Sequence, residues 1–132
     1  FGISMNEMTA IGRNEWPPIT MIIFRNYQWG AEKRNTTLWF DDNFVGTELD
    51  TDVRYSAIAE ACGVKGVQVQ GMDQLADALR EAIDAQMNND TTTFIEVLLN
   101  QELGEPFRRD AMKKPVAVAG ISKDDMRPQQ GA

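Results

Sequence analysis

The sequence predicts an α/β domain whose parallel sheet carries helices on both faces, a three-layer, doubly wound arrangement. Helix and strand patterns alternate along residues 1–100, and this order produces parallel strands joined by right-handed crossovers. The strand patterns at residues 19–24 and 92–99 are almost continuously apolar, which is typical of parallel strands buried on both faces. Together these observations favour one parallel sheet with helices on both sides.

The first element is predicted to be a helix that begins at a capping box. Ser4 is followed by Glu7, and this pairing satisfies the free amide groups of a helix start. The helix is expected to end near Asn14, because the prolines that follow cannot continue it. Its inward face comprises Met5, Met8 and Ile11. No strand pattern precedes this helix, so the sheet is expected to lack its N-terminal strand.

The strand at residues 19–24 is followed abruptly by the polar pair Arg25 and Asn26. In open α/β sheets, ligands bind beyond the carboxyl ends of the strands, so Asn26 is a candidate site residue. The alternative is a simple turn residue, a position that Asn suits because its side chain mimics backbone hydrogen bonds.

No helix or strand is predicted from residue 27 to about residue 51. So long a connection is usually either a functional lid or a disordered linker, and its apolar content favours a lid. Its tryptophans, Trp29 and Trp39, are interpreted as core anchors in preference to substrate contacts. The apolar side chains that something is expected to cover are Trp29, Leu38, Trp39, Phe40, Phe44, Val45 and Leu49.

The second half of the domain contains two further helices and two strands. A helix over residues 53–62 is expected to take its cap from the side-chain oxygens of residues 50–52 and to stop at Gly63 in a left-handed conformation. A short strand follows at residues 67–69. Asp73 is predicted to cap a helix that runs to Met87, where apolar residues keep the i, i+3, i+4 spacing. The buried strand at residues 92–99 closes the order.

Residues 101–132 are predicted to be a partly irregular C-terminal extension to a domain of residues 1–100. Prolines break any long element there, and residues 128–132 are expected to fray. The extension also concentrates positive charge, which most often marks a solvated surface. Arginine is chemically suited to bind phosphate or sulfonate, but a surface or subunit contact is favoured. The charged residues are Arg108, Arg109, Lys113 and Lys114.

The composition of the chain argues against several kinds of partner and location. The net charge of −7 argues against a nucleic-acid partner, and no apolar run approaches the roughly 20 residues that span a bilayer. Cys62 is the single cysteine, so no intrachain disulfide can form and a cytoplasmic setting is expected. The chain begins with Phe1 and contains no histidine. We therefore expect a piece of a longer polypeptide whose chemistry does not use an imidazole of this chain.

Four segments resemble the diphosphate-binding domain of thiamine diphosphate enzymes, and within that family the acetyltransferases that act on sulfoacetaldehyde. They are Phe-Arg-Asn-Tyr-Gln-Trp-Gly-Ala-Glu-Lys at residues 24–33, Phe-Gly-Ile-Ser-Met-Asn-Glu at 1–7, Asp-Asp-Asn-Phe-Val-Gly-Thr-Glu-Leu at 41–49 and Glu-Leu-Gly-Glu-Pro-Phe-Arg-Arg-Asp-Ala at 102–111. The resemblance implies the thiamine diphosphate-binding fold, truncated at its N-terminal strand, with thiamine diphosphate and Mg²⁺ as cofactors.

The resemblance also implies site residues. Asn26 matches the family's closing Asn, whose side-chain oxygen ligates Mg²⁺, and Gln28 matches the position that adds a backbone carbonyl. Gly30 lies in the same cofactor-binding segment. The Gly-Asp-Gly that opens the family's motif would precede residue 1, so the protein carboxylate of the metal site is expected upstream. No catalytic residue is assigned on this chain.

The function implied by the resemblance is conversion of sulfoacetaldehyde and phosphate into acetyl phosphate and sulfite, in a homo-oligomer (dimer or tetramer). The family's activating Glu comes from another domain of a partner subunit, so the isolated chain is expected to be inactive. Two alternatives stay open: a carboligase of the acetolactate synthase type, which shares the fold and the cofactor, and a non-catalytic interaction domain.

Overall fold

The computed structural model describes residues 1–102, and its ordered elements form a small three-layer domain. The chain begins with a 3-10 helix, Gly2–Glu7. The α-helices are α1 (Met8–Ile11), α2 (Gly30–Trp39), α3 (Tyr55–Ala61) and α4 (Met72–Asn88). The strands are β1 (Thr20–Arg25), β2 (Lys65–Val69) and β3 (Thr93–Leu98). The charged cluster predicted in the extension lies outside the described residues.

The strands form one parallel sheet in the order β1-β3-β2. Thr93 pairs with Thr20 on one side and with Lys65 on the other, so both neighbours start level with β3. The central strand is buried along almost its whole length, as its nearly continuous apolar sequence predicts. Because the strands are parallel and in step, the ends of β1 and β3 meet at one edge of the sheet.

The two faces of the sheet are covered by different helices. On one face, Ala78 and Ala82 of α4 pack against Val69, Ile95 and Val97. The other face carries a cluster made by α1, α3 and the sheet, whose buried members are Met8, Ala59, Val64 and Phe94. This confirms the predicted three-layer arrangement with helices on both faces. Of the inward face predicted for the first helix, Met8 is buried and Ile11 packs beside it, whereas Met5 is only partly buried.

The expectation that β1 is buried on both faces is wrong. Met21 and Ile23 join the cluster under α1 and α3, but Ile22 is 43% exposed and Phe24 is 63% exposed. The reason is that the α4 cluster forms over β2 and β3. As an edge strand, β1 therefore keeps one apolar face in contact with solvent.

The capping predictions at the helix starts are also wrong. Ser4 has a non-helical backbone, and neither the 3-10 helix nor α1 has a side-chain cap bond, so the capping box does not form. Helix α1 ends at Ile11, short of the expected Asn14. The N-cap of α4 is Gly71. Asp73 lies in the first turn of α4 without a cap bond. Its negative charge still interacts favourably with the positive end of the helix dipole. Gly63 does adopt the predicted left-handed conformation, with φ of 88°.

The region predicted to lack regular structure contains a helix, α2. The sequence pattern misses it because its residues are largely polar and do not form an apolar stripe of helical period. The exposed fractions of Trp29, Trp39, Phe40 and Phe44 lie between 38% and 47%. The two tryptophans are therefore not core anchors within the described residues. Among residues 1–102, no helix is long and apolar enough to cross a membrane.

Gly66 provides a sharp test of how closely β2 approaches α3. A Cβ atom added to Gly66 would lie 2.2 Å from the backbone oxygen of Ser56, whereas one added to Gly71 would meet nothing within 4 Å. We expect Gly66→Ala to lower the free energy of unfolding by about 1–3 kcal/mol through overpacking. Gly71→Ala, the matched control, should cost less than about 1 kcal/mol. Urea denaturation of the purified chain measures both, and equal losses would contradict the close approach.

Candidate functional site

The candidate site begins at the turn that follows β1. Asn26 is the first residue after the strand, and its side-chain Oδ1 accepts a hydrogen bond from the backbone N–H of Gln28 at 3.4 Å. Tyr27 lies between them with a left-handed backbone, φ of 58°, which costs free energy for a bulky residue. The Asn side chain therefore stabilises a tight turn at the carboxyl end of the strand.

Gln28 then forms an antiparallel bridge with Glu48. The hydrogen bonds flank this pair: the N–H of Trp29 donates to the oxygen of Thr47 at 2.7 Å, and the N–H of Leu49 donates to the oxygen of Tyr27 at 2.9 Å. In such a bridge the central residue's own backbone groups point to the opposite side. The carbonyl of Gln28 is therefore directed away from residues 47–49, on the same side as its N–H, which meets Asn26.

The side chain of Gln28 is buried and ties the turn to the segment after β3. Its Nε2 donates to the backbone oxygen of Gln101 at 2.8 Å, and Gln101 in turn donates from Nε2 to Glu48 at 2.9 Å. The Oε1 atom of Gln28 is buried with no hydrogen-bond partner among residues 1–102. A buried acceptor of this kind is expected to have a partner, and Oγ1 of Thr47 in the same bridge also lacks one within the described residues.

A buried ion pair lies directly beneath this turn. Arg25 Nη1 donates to Glu96 Oε1 at 2.7 Å, and the two side chains are only 4% and 0% exposed. The Nη2 of Arg25 donates to the backbone oxygens of Asp50 at 2.9 Å and Thr51 at 3.2 Å. A single guanidinium thus joins the end of β1, the central strand and the loop that follows the Glu48 bridge.

Glu96 also caps α3. Its carboxylate accepts from the backbone N–H groups of Tyr55 at 3.3 Å and Ser56 at 3.0 Å, and from Gln68 Nε2 at 3.1 Å. The prediction that residues 50–52 cap this helix is wrong, because a carboxylate from the neighbouring strand already accepts those amide hydrogens. The sequence signal for this role was a lone Glu within an otherwise apolar strand.

Most of the chain matches a known protein family. Residues 1–97 match the model described as thiamine pyrophosphate enzyme, C-terminal TPP binding domain. The chain belongs to this family. The match covers β1, the Asn26 turn, the Gln28–Glu48 bridge and nearly all of β3, and so every part of the candidate site except Gln101. The predicted fold is confirmed, as is thiamine diphosphate, the same compound as thiamine pyrophosphate, as the cofactor of the family.

The TPP-binding domain is similar to the following three proteins. It is 70% identical to the sulfoacetaldehyde acetyltransferase of Roseovarius nubinhibens over 98% of the chain and 21% of that relative. It is 68% identical to a probable sulfoacetaldehyde acetyltransferase of Rhizobium meliloti over 98% of the chain and 22% of the relative. A putative thiamine pyrophosphate-containing protein of Bacillus subtilis is 32% identical over 64% of the chain and 14% of its own length. The chain spans about a fifth of the length of the first two.

The TPP-binding domain presents oxygen atoms that suit Mg²⁺, but only from neutral groups. The side chain of Asn26 and the outward carbonyl of Gln28 are hard oxygen donors, which Mg²⁺ prefers. Within residues 1–102 there is no group of three or more His, Cys, Asp or Glu side chains that could hold a metal ion. The donor set therefore fits a Mg²⁺ that takes its remaining ligands from phosphate oxygens, water and a carboxylate outside the described residues.

Two charged residues beside the turn, Lys33 and Glu48, pair with each other. Lys33 of α2 forms a salt bridge with Glu48, and hydrogen bonds from Lys33 and then Gln101 outweigh desolvation and lower the pKa of Glu48 below 4.5. Gly30 is the first residue of α2, so the positive end of that helix follows the turn directly. The predicted residues Asn26, Gln28 and Gly30 are thus brought together at one corner of the sheet.

The ionisation of Glu96 sets a pH dependence for the fold. Desolvation raises the pKa of Glu96, but hydrogen bonds from the Ser56 N–H, Arg25 and the Tyr55 N–H outweigh it, so the pKa lies below its ordinary value of 4.5. A carboxylate whose pKa is lowered in the folded state stabilises the fold above its unfolded pKa. That stabilisation is lost as the pH falls through the folded pKa.

We therefore expect the free energy of unfolding to fall below about pH 4.5, and this fall to shrink in Glu96→Gln. At neutral pH the same substitution should cost about 3–5 kcal/mol, because Arg25 is left as a buried, uncompensated charge. Urea titrations across the acid range test both statements. Glu81→Gln on the exposed side of α4 is the control and should leave the curve close to the wild type; an unaltered curve for Glu96→Gln would contradict the assignment.

Proposed function

We propose that this chain is the carboxyl-terminal part of a thiamine diphosphate- and Mg²⁺-dependent acetyltransferase that converts sulfoacetaldehyde and phosphate into acetyl phosphate and sulfite. The observation that carries the proposal is the Asn26 turn, with its outward Gln28 carbonyl, in a chain that is 70% identical to a sulfoacetaldehyde acetyltransferase. Sequence similarity at this level supports the substrate class as well as the cofactor.

The part played by this chain is to hold the diphosphate end of the cofactor. Asn26 Oδ1 and the carbonyl of Gln28 would ligate Mg²⁺, and the metal would neutralise the diphosphate to which it is also bound. The amino end of α2, beginning at Gly30, adds amide N–H groups of the kind that favour phosphate. When bound, the cofactor supplies the carbon nucleophile that the reaction needs, and protein groups supply orientation and electrostatics.

The rest of the site belongs to other parts of the larger polypeptide. The chain spans about a fifth of its acetyltransferase relatives, and no carboxylate cluster suited to a metal occurs within residues 1–102. We propose that a preceding Asp completes the metal site and that a partner subunit activates the cofactor, so the enzyme works as a homo-oligomer, a dimer or tetramer. The single Cys62 is compatible with a cytoplasmic location.

The product distinguishes this function from that of a related carboligase. The full-length enzyme, loaded with thiamine diphosphate and Mg²⁺, should release acetyl phosphate and sulfite in equal amounts from sulfoacetaldehyde and phosphate. Enzymatic assay of acetyl phosphate beside colorimetric assay of sulfite measures both. Formation of a carbon–carbon bond between two keto acids, without acetyl phosphate, would favour the acetolactate synthase-type alternative instead.

The metal-ligand role of Asn26 is tested by replacing it with Leu in the full-length enzyme. Asn26→Leu removes the side-chain oxygen while preserving size, so the purified enzyme should lose nearly all bound thiamine diphosphate and its Mg²⁺-dependent activity. Cofactor content after gel filtration and circular dichroism of the fold are the readouts.

Asn35→Leu, at an exposed position on α2, is the matched control and should retain the cofactor. Unchanged cofactor occupancy in Asn26→Leu would rule out the ligand assignment. Loss of the cofactor together with the native circular dichroism spectrum would show a structural role instead.

A further inference from the structure

Arg25 occupies an unusual position for a buried charge, because it lies next to Asn26 without facing the site. Its side chain points beneath the turn, into the sheet face shared with Glu96, where it is 4% exposed. No group of Arg25 is available to a ligand on the far side of the turn. Any effect of Arg25 on the cofactor must therefore act through the backbone that it holds.

The contacts of Arg25 converge on the two segments that build the turn. Its Nη2 donates to the backbone oxygens of Asp50 and Thr51, just after Leu49, whose N–H donates to the oxygen of Tyr27. Through these bonds the guanidinium fixes the segment that pairs with Gln28. The direction of the Gln28 carbonyl depends on that pairing.

Two aromatic rings confine the same guanidinium. Its central carbon lies 4.6 Å from the ring centroid of Tyr27 and 4.8 Å from that of Tyr55, distances at which cation–π attraction is favourable. Tyr27 is the residue with the left-handed backbone within the turn. The ring contact therefore helps to hold the one strained residue between Asn26 and Gln28.

We propose that Arg25 is a positioning residue for the metal site: it holds the Asn26 side chain and the Gln28 carbonyl at the separation that Mg²⁺ requires, without touching the metal. The inference rests on the proposed function of the turn. Its chemical basis is the planar fork of arginine, which reaches Glu96 and two backbone carbonyls at once, whereas the single ammonium of lysine does not reproduce that geometry.

Arg25→Lys distinguishes positioning from simple charge pairing. Lysine keeps the positive charge beside Glu96 but lacks the planar set of guanidinium donors and its contacts with the two tyrosine rings. In the full-length enzyme we expect the Kd for Mg²⁺, measured with saturating thiamine diphosphate by tryptophan fluorescence, to rise by about 10- to 100-fold, as for other groups that orient metal ligands. Activity should be recovered in part at high Mg²⁺, so the apparent KM for Mg²⁺ changes more than kcat.

Val69→Ala is the matched control. Val69 is buried in β2 under α4, on the opposite face from Arg25, so truncating it should lower the thermal midpoint while leaving the Kd for Mg²⁺ within about twofold, since distant sites act independently. Thermal midpoints are recorded for every variant, and binding is measured well below them. An equal loss of Mg²⁺ affinity in Val69→Ala would show that general destabilisation is responsible and would overturn the proposal.

Tyr55→Leu provides a second route if Arg25→Lys does not fold. It removes one of the two rings that confine the guanidinium and should weaken Mg²⁺ binding in the same direction, by less than the Lys substitution. Wild-type affinity in either folded variant would overturn the positioning role. A wild-type enzyme that binds neither Mg²⁺ nor thiamine diphosphate would instead refute the proposed function of the turn, so the two failures are distinguishable.

Discussion

The ion pair between Arg25 and Glu96 is the constraint on which the rest of this structure depends. Two opposite charges taken out of water are costly to bury and contribute favourably only when their remaining donors and acceptors are satisfied. Here the carboxylate receives hydrogen bonds from two amide groups of α3 and from Gln68 of β2. The strands, one helix and one loop must all be in place before those bonds exist. The hydrogen bonds that satisfy the pair therefore form only when these layers are assembled in this arrangement.

Much of the architecture follows from sequence patterns, because hydrophobic burial is strongest where the patterns are clearest. The helical period of α4 and the apolar run of β3 predict their type and their location in the core. The prediction that β1 is buried on both faces is wrong, because the sequence of a strand does not show whether a neighbouring helix covers it. The exposed faces of Ile22 and Phe24 are a property of the α4 placement, which sequence periodicity does not encode.

Part of the candidate site was likewise predictable from the sequence, and part of it was not. Asn26 is found from the rule that parallel strands present polar residues at their carboxyl ends, and the family resemblance adds Gln28 and Gly30. The roles of Arg25 and Glu96 were missed, since their partners are distant in sequence and one of them replaces a local helix cap. A glutamate inside a buried strand was nevertheless a visible anomaly: a charge there must have partners. Residues such as Arg25 look like ordinary strand-end polar groups until the tertiary contacts are known.

Helix α2 leads the chain away from the candidate site. Near its amino end it is joined to the Gln28–Glu48 bridge by the salt bridge between Lys33 and Glu48. Within residues 1–102 it makes no extensive packing contact with any strand or other helix. At about 1.5 Å per residue its ten residues extend roughly 15 Å. The chain therefore passes within one short helix from the Asn26 turn to Phe40, which is 47% exposed.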